Sequence, residues 1–340
     1  MASRATGETT VAAPALAKFR DVSYLAWAAG GGMGGAEPNL RLNVRRGVSS
    51  ASDGRKLPPL DETSRQALAL TAHNDQLFIS WTGADGIGKL NLASSGDGET
   101  FSNKQTLNDT SLGGPALVGY KAFPDDSLNS QTFLVRAWSG GGGLGGGPPD
   151  GRVNVAWSLD GRTWPDENRL VLPHKSIAAP ALAAMDVPNI DAFRLGTLWL
   201  GWTDGLHIFV THCFGLNFGQ LELDSHRERV QSGGRDETTF TSPSLNCGGN
   251  GPRLAWPGTD GAHKITSCAV SIRSGLLEKG KRSLPSLHPR PSPLTPMRAY
   301  PPTGVPTMWG RSLSGRPCHK RTSMRRGRGF HTLRYTFRSC

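Results

Sequence analysis

GPALVGYKAF (114–123), QTFLVRAW (131–138), GRVNVAWSLDGRTW (151–164) and NRLVLP (168–173) follow one another in the middle of the chain. GRVNVAW alternates apolar and polar side chains with a period of two, the mark of a strand. Asp-Gly and runs of Gly and Pro fill the gaps, as they do in tight turns and loops. Helical periodicity of 3.6 residues is not sustained here or anywhere else in the chain. The passage predicts four short strands in a row: a PAL strand, a Trp strand, an alternating strand and a strand after the Asp-Gly turn.

The same passage recurs along the chain. Trp27 (YLAW), Trp81 (LFISW), Trp138 (LVRAW), Trp202 (LWLGW) and Trp256 (RLAW) each end a short apolar run. Upstream stand APAL (13–16), QAL (66–68), GPAL (114–117), APAL (179–182) and SPSL (242–245). Downstream come LRLNV (40–44), KLNLAS (89–94), GRVNVAW (151–157), LHIFVTH (206–212) and HKITS (263–267). A four-stranded unit repeated about every 40–60 residues is a propeller blade. One such sheet cannot bury its apolar faces alone, so it is stable only between neighbours. The expected fold is an all-β β-propeller with blades at about 12–65, 66–113, 114–178 and 179–241 and a partial blade at 242–272. Residues 1–11 form an N-terminal extension. Trp27, Trp81, Trp138, Trp202 and Trp256 are read as packing between blades.

Charge divides the chain. Of 38 Lys and Arg, 15 fall in 273–340, which holds a single acid, Glu278. The net charge of +11 therefore belongs to that tail, and the body is slightly acidic. The tail has neither helical nor strand periodicity and little apolar surface to offset its ordering entropy. It reads as a disordered basic extension, as an arm for nucleic acid or anionic lipid, or as translation in a shifted frame. Nucleic-acid binding is expected nowhere else. The opening residues lack the pattern of a secretory signal, and no apolar run reaches the roughly 20 residues that span a bilayer. A cytoplasmic location is therefore favoured, without membrane association. The five cysteines (213, 247, 268, 318 and 340) show no zinc spacing and are read as thiols.

SGDGETF (95–101) and SLDGRTW (158–164), with a weaker copy ASDGRKL (51–57), resemble the Asp-box of bacterial neuraminidase repeats. The likeness extends over about residues 10–272 and implies a sialidase-like propeller, six-bladed in that family, with about four and a half blades recognisable here. It implies structural roles for Ser95, Asp97, Gly98, Phe101, Ser158, Asp160, Gly161, Trp164, Asp53 and Gly54 in turns between third and fourth strands. Ligands would then meet the opposite face, which carries the second-to-third loops. Asp85, Asp150, Asp204 and Asp260 lie in those loops, each before a Gly. They serve tight hairpins or form an acidic ring at the channel mouth.

A sialidase also needs three arginines for a carboxylate and a tyrosine nucleophile. The Arg-Ile-Pro motif of that family is absent, and the late tyrosines, Tyr300 and Tyr335, lie in the tail. Arg41, Arg45, Arg46 and Arg136 could reach the ligand face, but nothing marks a triad. The expected function is a non-catalytic module that binds a glycan or a protein through its second-to-third loops. The alternative is an exo-α-sialidase or other glycoside hydrolase on the same scaffold. No cofactor and no metal are expected: the nearest cluster, His207, His212, Cys213 and His226, places His212 and Cys213 on opposite faces of one strand. With fewer blades than the family has, an open sheet edge is expected to cause association or poor solubility.

Overall fold

The computed structural model describes residues 8–30, 39–49, 52–122, 131–140, 150–186, 196–215, 218–222, 227–232, 235–248, 251–259, 265–269, 272–273 and 334–335. The described chain is all-β. Its only helical pieces are two 3-10 turns, Asp166–Asn168 and Phe218–Glu222. No helix among the described residues is long and apolar enough to cross a membrane.

Strands follow one another as antiparallel meanders. The first sheet holds β1 (Ala15–Phe19), β2 (Val22–Ala28), β3 (Arg41–Arg46) and β4 (Arg55–Lys56), with β5 (Leu60–Thr63) also pairing on β3. The second is β6 (Ala69–His73), β7 (Gln76–Thr82), β8 (Lys89–Ser95) and β9 (Ser102–Thr110). The third is β10 (Ala116–Ala122), β11 (Gln131–Gly140), β12 (Arg152–Ser158) and β13 (Arg169–Lys175). The fourth is β14 (Ala181–Asp186), β15 (Gly196–Thr203), β16 (Ile208–Phe214) and β17 (Glu228–Arg229). After a small hairpin, β18 (Gln231–Ser232) and β19 (Arg235–Asp236), comes a three-stranded sheet of β20 (Ser244–Gly248), β21 (Gly251–Pro257) and β22 (Ile265–Ala269). Short strands β23 (Ile272–Arg273) and β24 (Arg334–Tyr335) pair with each other. The readings of the tail fall on 273–340, of which 274–333 and 336–340 lie outside the described residues.

The sheets are blades in a propeller. The first strand of each lies against the first strand of the next: β1 against β6, β6 against β10, β10 against β14 and β14 against β20. The second-strand tryptophans fill the spaces between the sheets. Trp81 shares a cluster with Leu42 and Val44 of the first sheet, Trp138 with Leu90 of the second, and Trp202 with Val155 and Leu172 of the third. Trp256 packs with Ile208 and Val210 of the fourth sheet. Trp27 is equally buried, at 2% exposure. Alternation in the sequence predicts strands with one wet face, yet β15 is buried at every position and β7 at all but its first. A sheet between two others has no wet face, so its polar positions are small: Ser80, Ser139 and Thr203.

Candidate functional site

A meander of four strands places its first-to-second and third-to-fourth turns on one face. The second-to-third loops and the links between blades fall on the other. On that second face, Asp85 Oδ1 accepts hydrogen bonds from Ile87 N and Gly88 N, both at 3.1 Å. Asp150 Oδ1 accepts Arg152 N at 2.8 Å, and its other oxygen pairs with Arg152 Nε at 3.4 Å. Asp204 Oδ1 accepts Leu206 N at 2.8 Å and His207 N at 2.7 Å. Burial would raise the Asp204 pKa, but these bonds and the nearby His207 outweigh it and hold the carboxyl below its ordinary value. The glycine after each takes a positive φ: Gly86 at 82°, Gly151 at 76° and Gly205 at 95°. Each of the three carboxylates thus commits an oxygen to its own loop. Asp260 lies outside the described residues. Among the described residues, no three His, Cys, Asp or Glu side chains are gathered as a metal site.

The turns at 95–101 and 158–164 sit on the other face and share one bonding scheme. Ser95 Oγ donates to Asp97 Oδ1 at 2.8 Å and accepts Gly98 N, while Asp97 Oδ1 also accepts Glu99 N and Thr100 N. Ser158, Asp160, Gly161, Arg162 and Thr163 repeat this bond for bond. Bonds from Thr100 N, Glu99 N and Ser95 draw the Asp97 pKa down to about 2. Phe101 and Trp164 are half-buried and pack on the blade clusters. The turn at Asp53 and Gly54 differs: Ser52 Oγ accepts Gly54 N, and Arg45 donates to the carbonyls of both residues. His212 is buried against Trp199, 4.9 Å between ring centroids. Cys213 is buried in the third-to-fourth blade core, where burial pushes its thiol up to about 12.

Two features escaped the sequence reading. One is an exposed apolar set on the loop face. Val11, Leu112, Ile177 and Phe240 occupy the same place in four of the five blade links, one residue after a Ser or Thr, and are 38–65% exposed; Arg65 stands there in the other. Ile87 and Leu206 project from second-to-third loops, so six of the nine exposed large apolar side chains among the described residues share this face. The loops lie close to the links: Leu112 lies beside Gly151, and Ile177 beside Gly205.

The other is a clasp between blades. The motif ETT (8–10), ETS (62–64), DTS (109–111), HKS (174–176) and ETT (237–239) precedes each first strand. Its leading residue lies over the next sheet, beside the second-strand Trp. Glu8 binds Arg45 and Lys56, and Lys56 stands 5.3 Å from the Trp27 ring. Glu62 pairs with Lys104, which faces Trp81. Asp109 pairs with Arg136 and Arg169 around Trp138. His174 stacks on Trp202, and Glu237 accepts Trp256 Nε1 at 3.3 Å. Arg136 therefore faces the second blade at 1% exposure rather than the ligand face.

At the Asp160 side of the axis, a cavity of about 540 Å³ opens between the inner strands, lined by Arg20, His73, Asn74, Asp75 and Lys121 among others. His73 Nε2 is 2.8 Å from the Leu159 carbonyl, and burial lowers its pKa.

No family model and no curated protein matches this chain. It is similar in fold to solved structures. One is the GH43_1 enzyme from Xanthomonas citri complexed with xylose, at 13% identity and a TM-score of 0.44, covering 78% of this chain and 88% of that one. Another is the GH93 α-L-arabinofuranosidase of Fusarium graminearum with arabinobiose, at 10% and 0.46, covering 74% and 72%. A third is a chain of a nidogen/laminin complex, at 16% and 0.40, covering 75% of each. At these identities and scores, neither activity nor ligand transfers to this chain.

Proposed function

We propose that this chain is a non-catalytic propeller of the sialidase-like, Asp-box type, and that it binds a protein or glycan ligand with its second-to-third loop face. The shared bonding of the turns at 95–101 and 158–164 supports the Asp-box reading. The exposed apolar set on the loop face carries the binding reading. Exposed apolar patches mark interaction surfaces, and Val11, Ile87, Leu112, Ile177, Leu206 and Phe240 all lie on this face. The aspartates beside them brace the loops that present these side chains, which suits binding better than acid catalysis. An apolar face of this kind favours a protein surface over a sugar.

The test uses the full chain against a glycan array and a displayed protein library, with the double variant Leu206→Asp, Phe240→Asp beside it. Wild type is expected to select ligands that the variant loses while its unfolding midpoint stays unchanged. Ligands indifferent to the double variant, or turnover of a fluorogenic sialoside by the wild type, would refute the proposal.

A further inference from the structure

Arg136 breaks the repeat. The residue two before each blade tryptophan is Leu25, Ile79, Leu200 and Leu254 in the other sheets. Ile79, Leu200 and Leu254 are fully buried apolar side chains, and Arg136, at the same place in β11, is buried to 1%. A guanidinium at an apolar core position is destabilising unless its charge and its N–H groups are met. Local departures of this kind concentrate at functional sites.

Here they are met only in part. Arg136 Nη2 donates to Asp109 Oδ2 at 3.3 Å, but Arg169 Nη1 takes the other oxygen of that carboxylate at 2.6 Å. Two guanidiniums thus share one partly buried carboxylate. Arg169 Nη2 reaches Asn154 Oδ1 at 3.1 Å. The Arg136 guanidinium lies between two indoles, 4.6 Å from Trp138 and 4.4 Å from Trp164. Arg136 Nε and Nη1, Arg169 Nε and the indole N–H of Trp164 are buried without a hydrogen-bond partner; so is that of Trp138, as are those of Trp27 and Trp81 in the other blades. Every one of these orphans is a donor. Buried polar groups left this way call for an explanation. Beside them a cavity of about 290 Å³ opens between the second and third blades, lined by Asp109, Arg136, Trp138, Trp164, Arg169 and the exposed Asp166 among others. The corresponding crevice between the first and second blades has one cation, Lys104, paired with Glu62, and is also lined by the acids Asp61 and Glu99.

We infer that the crevice between the second and third blades is a binding site for a small oxyanion, a carboxylate or an inorganic anion of similar size. An anion would give the second guanidinium a partner of its own, and its acceptor oxygens would take up the orphaned donors. The site is separate from the loop face and does not rest on the function proposed for it.

Titration calorimetry at fixed ionic strength tests the inference with acetate, glucuronate and phosphate as anionic probes and glucose as the neutral one. Wild type is expected to bind at least one anion and not glucose. A carboxylate-only response identifies an organic acid, and a phosphate response an inorganic oxyanion. Arg136→Leu restores the residue type of the other blades, so the variant is expected to fold and to lose affinity by about tenfold or more, the scale of one charge-assisted contact. Asp109→Asn removes the competing carboxylate and is expected to tighten binding severalfold. An arginine with a purely structural role would give no anion binding in wild type, or binding unchanged in Arg136→Leu. Either result overturns the inference. Should Arg136→Leu fail to fold, Asp109→Asn decides: unchanged or weaker binding counts against the site.

Discussion

Gly161→Ala probes how one blade seats on the next. Gly161 has φ of +70°, and a Cβ there would come within 2.6 Å of the Phe78 ring and 3.0 Å of Leu134. Phe78 belongs to β7 of the preceding blade and is 2% exposed, so it has no free space to retreat into. The substitution carries two separable penalties. Left-handed backbone costs an L-residue about 1–2 kcal/mol. Overpacking against a fixed aromatic adds about 1–3 kcal/mol. Gly86→Ala supplies the control, because Gly86 has φ of +82° and open space around its missing Cβ. Urea unfolding of both variants at one temperature gives the comparison. Gly161→Ala is expected to lose about 2–5 kcal/mol and Gly86→Ala only the backbone share. Equal losses would mean that the 158–164 turn does not rest on the second blade, and the argument for blade seating would fail.

Three further outcomes follow from the same packing. Trp202→Ala opens a cavity between the third and fourth blades and is expected to lower stability by about 3–5 kcal/mol in the same urea assay. Leu16 is 67% exposed while its counterparts Leu117 and Leu182 are each 8% exposed, so Leu16→Lys should leave the unfolding midpoint nearly unchanged where Leu117→Lys lowers it sharply. Burial pushes the Glu228 carboxyl up to about 7, above its unfolded value, so the folded state binds the extra proton between pH 4.5 and 7. Its contribution to stability is greatest at the low end of that window and is lost as pH rises through 7; Glu228→Gln should flatten this slope in melts taken at pH 5, 6, 7 and 8.

The strand order was legible because every blade repeats the same chemistry. A Trp ending an apolar run and an alternating segment after it both survive in the sequence, since each must cover the adjacent sheet. The extent of burial was not legible. Ser80 and Thr203 look like solvent positions until a second sheet is known to cover them, and their hydroxyls then bond the Asn91 and Thr239 carbonyls. The clasp residues Glu8, Glu62, Asp109 and Glu237 are written in the chain as an acid two places before a Ser or Thr. That signal is short and its partners, such as Lys104 and Arg169, lie more than 40 residues away, so it gains meaning only when the links are aligned. Arg136 shows the limit most plainly. An arginine on an alternating strand reads as exposed, and only its register with Ile79 and Leu200 reveals a core position.

Each blade packs on the one before it, with the leading residue of one link, an acid in all but the third-to-fourth, set over the tryptophan of the next sheet. Zero-length carbodiimide cross-linking of the native chain, read by peptide mass spectrometry, tests it most directly. Glu62 of the first blade should be joined to Lys104 of the second, and Glu8 to Lys56, whose oxygen and nitrogen lie 3.1 Å apart. Linkage of the local pair Lys18 and Asp21, 2.8 Å apart, shows that the chemistry works. That local link without a Glu62–Lys104 link would contradict the stacking of the blades.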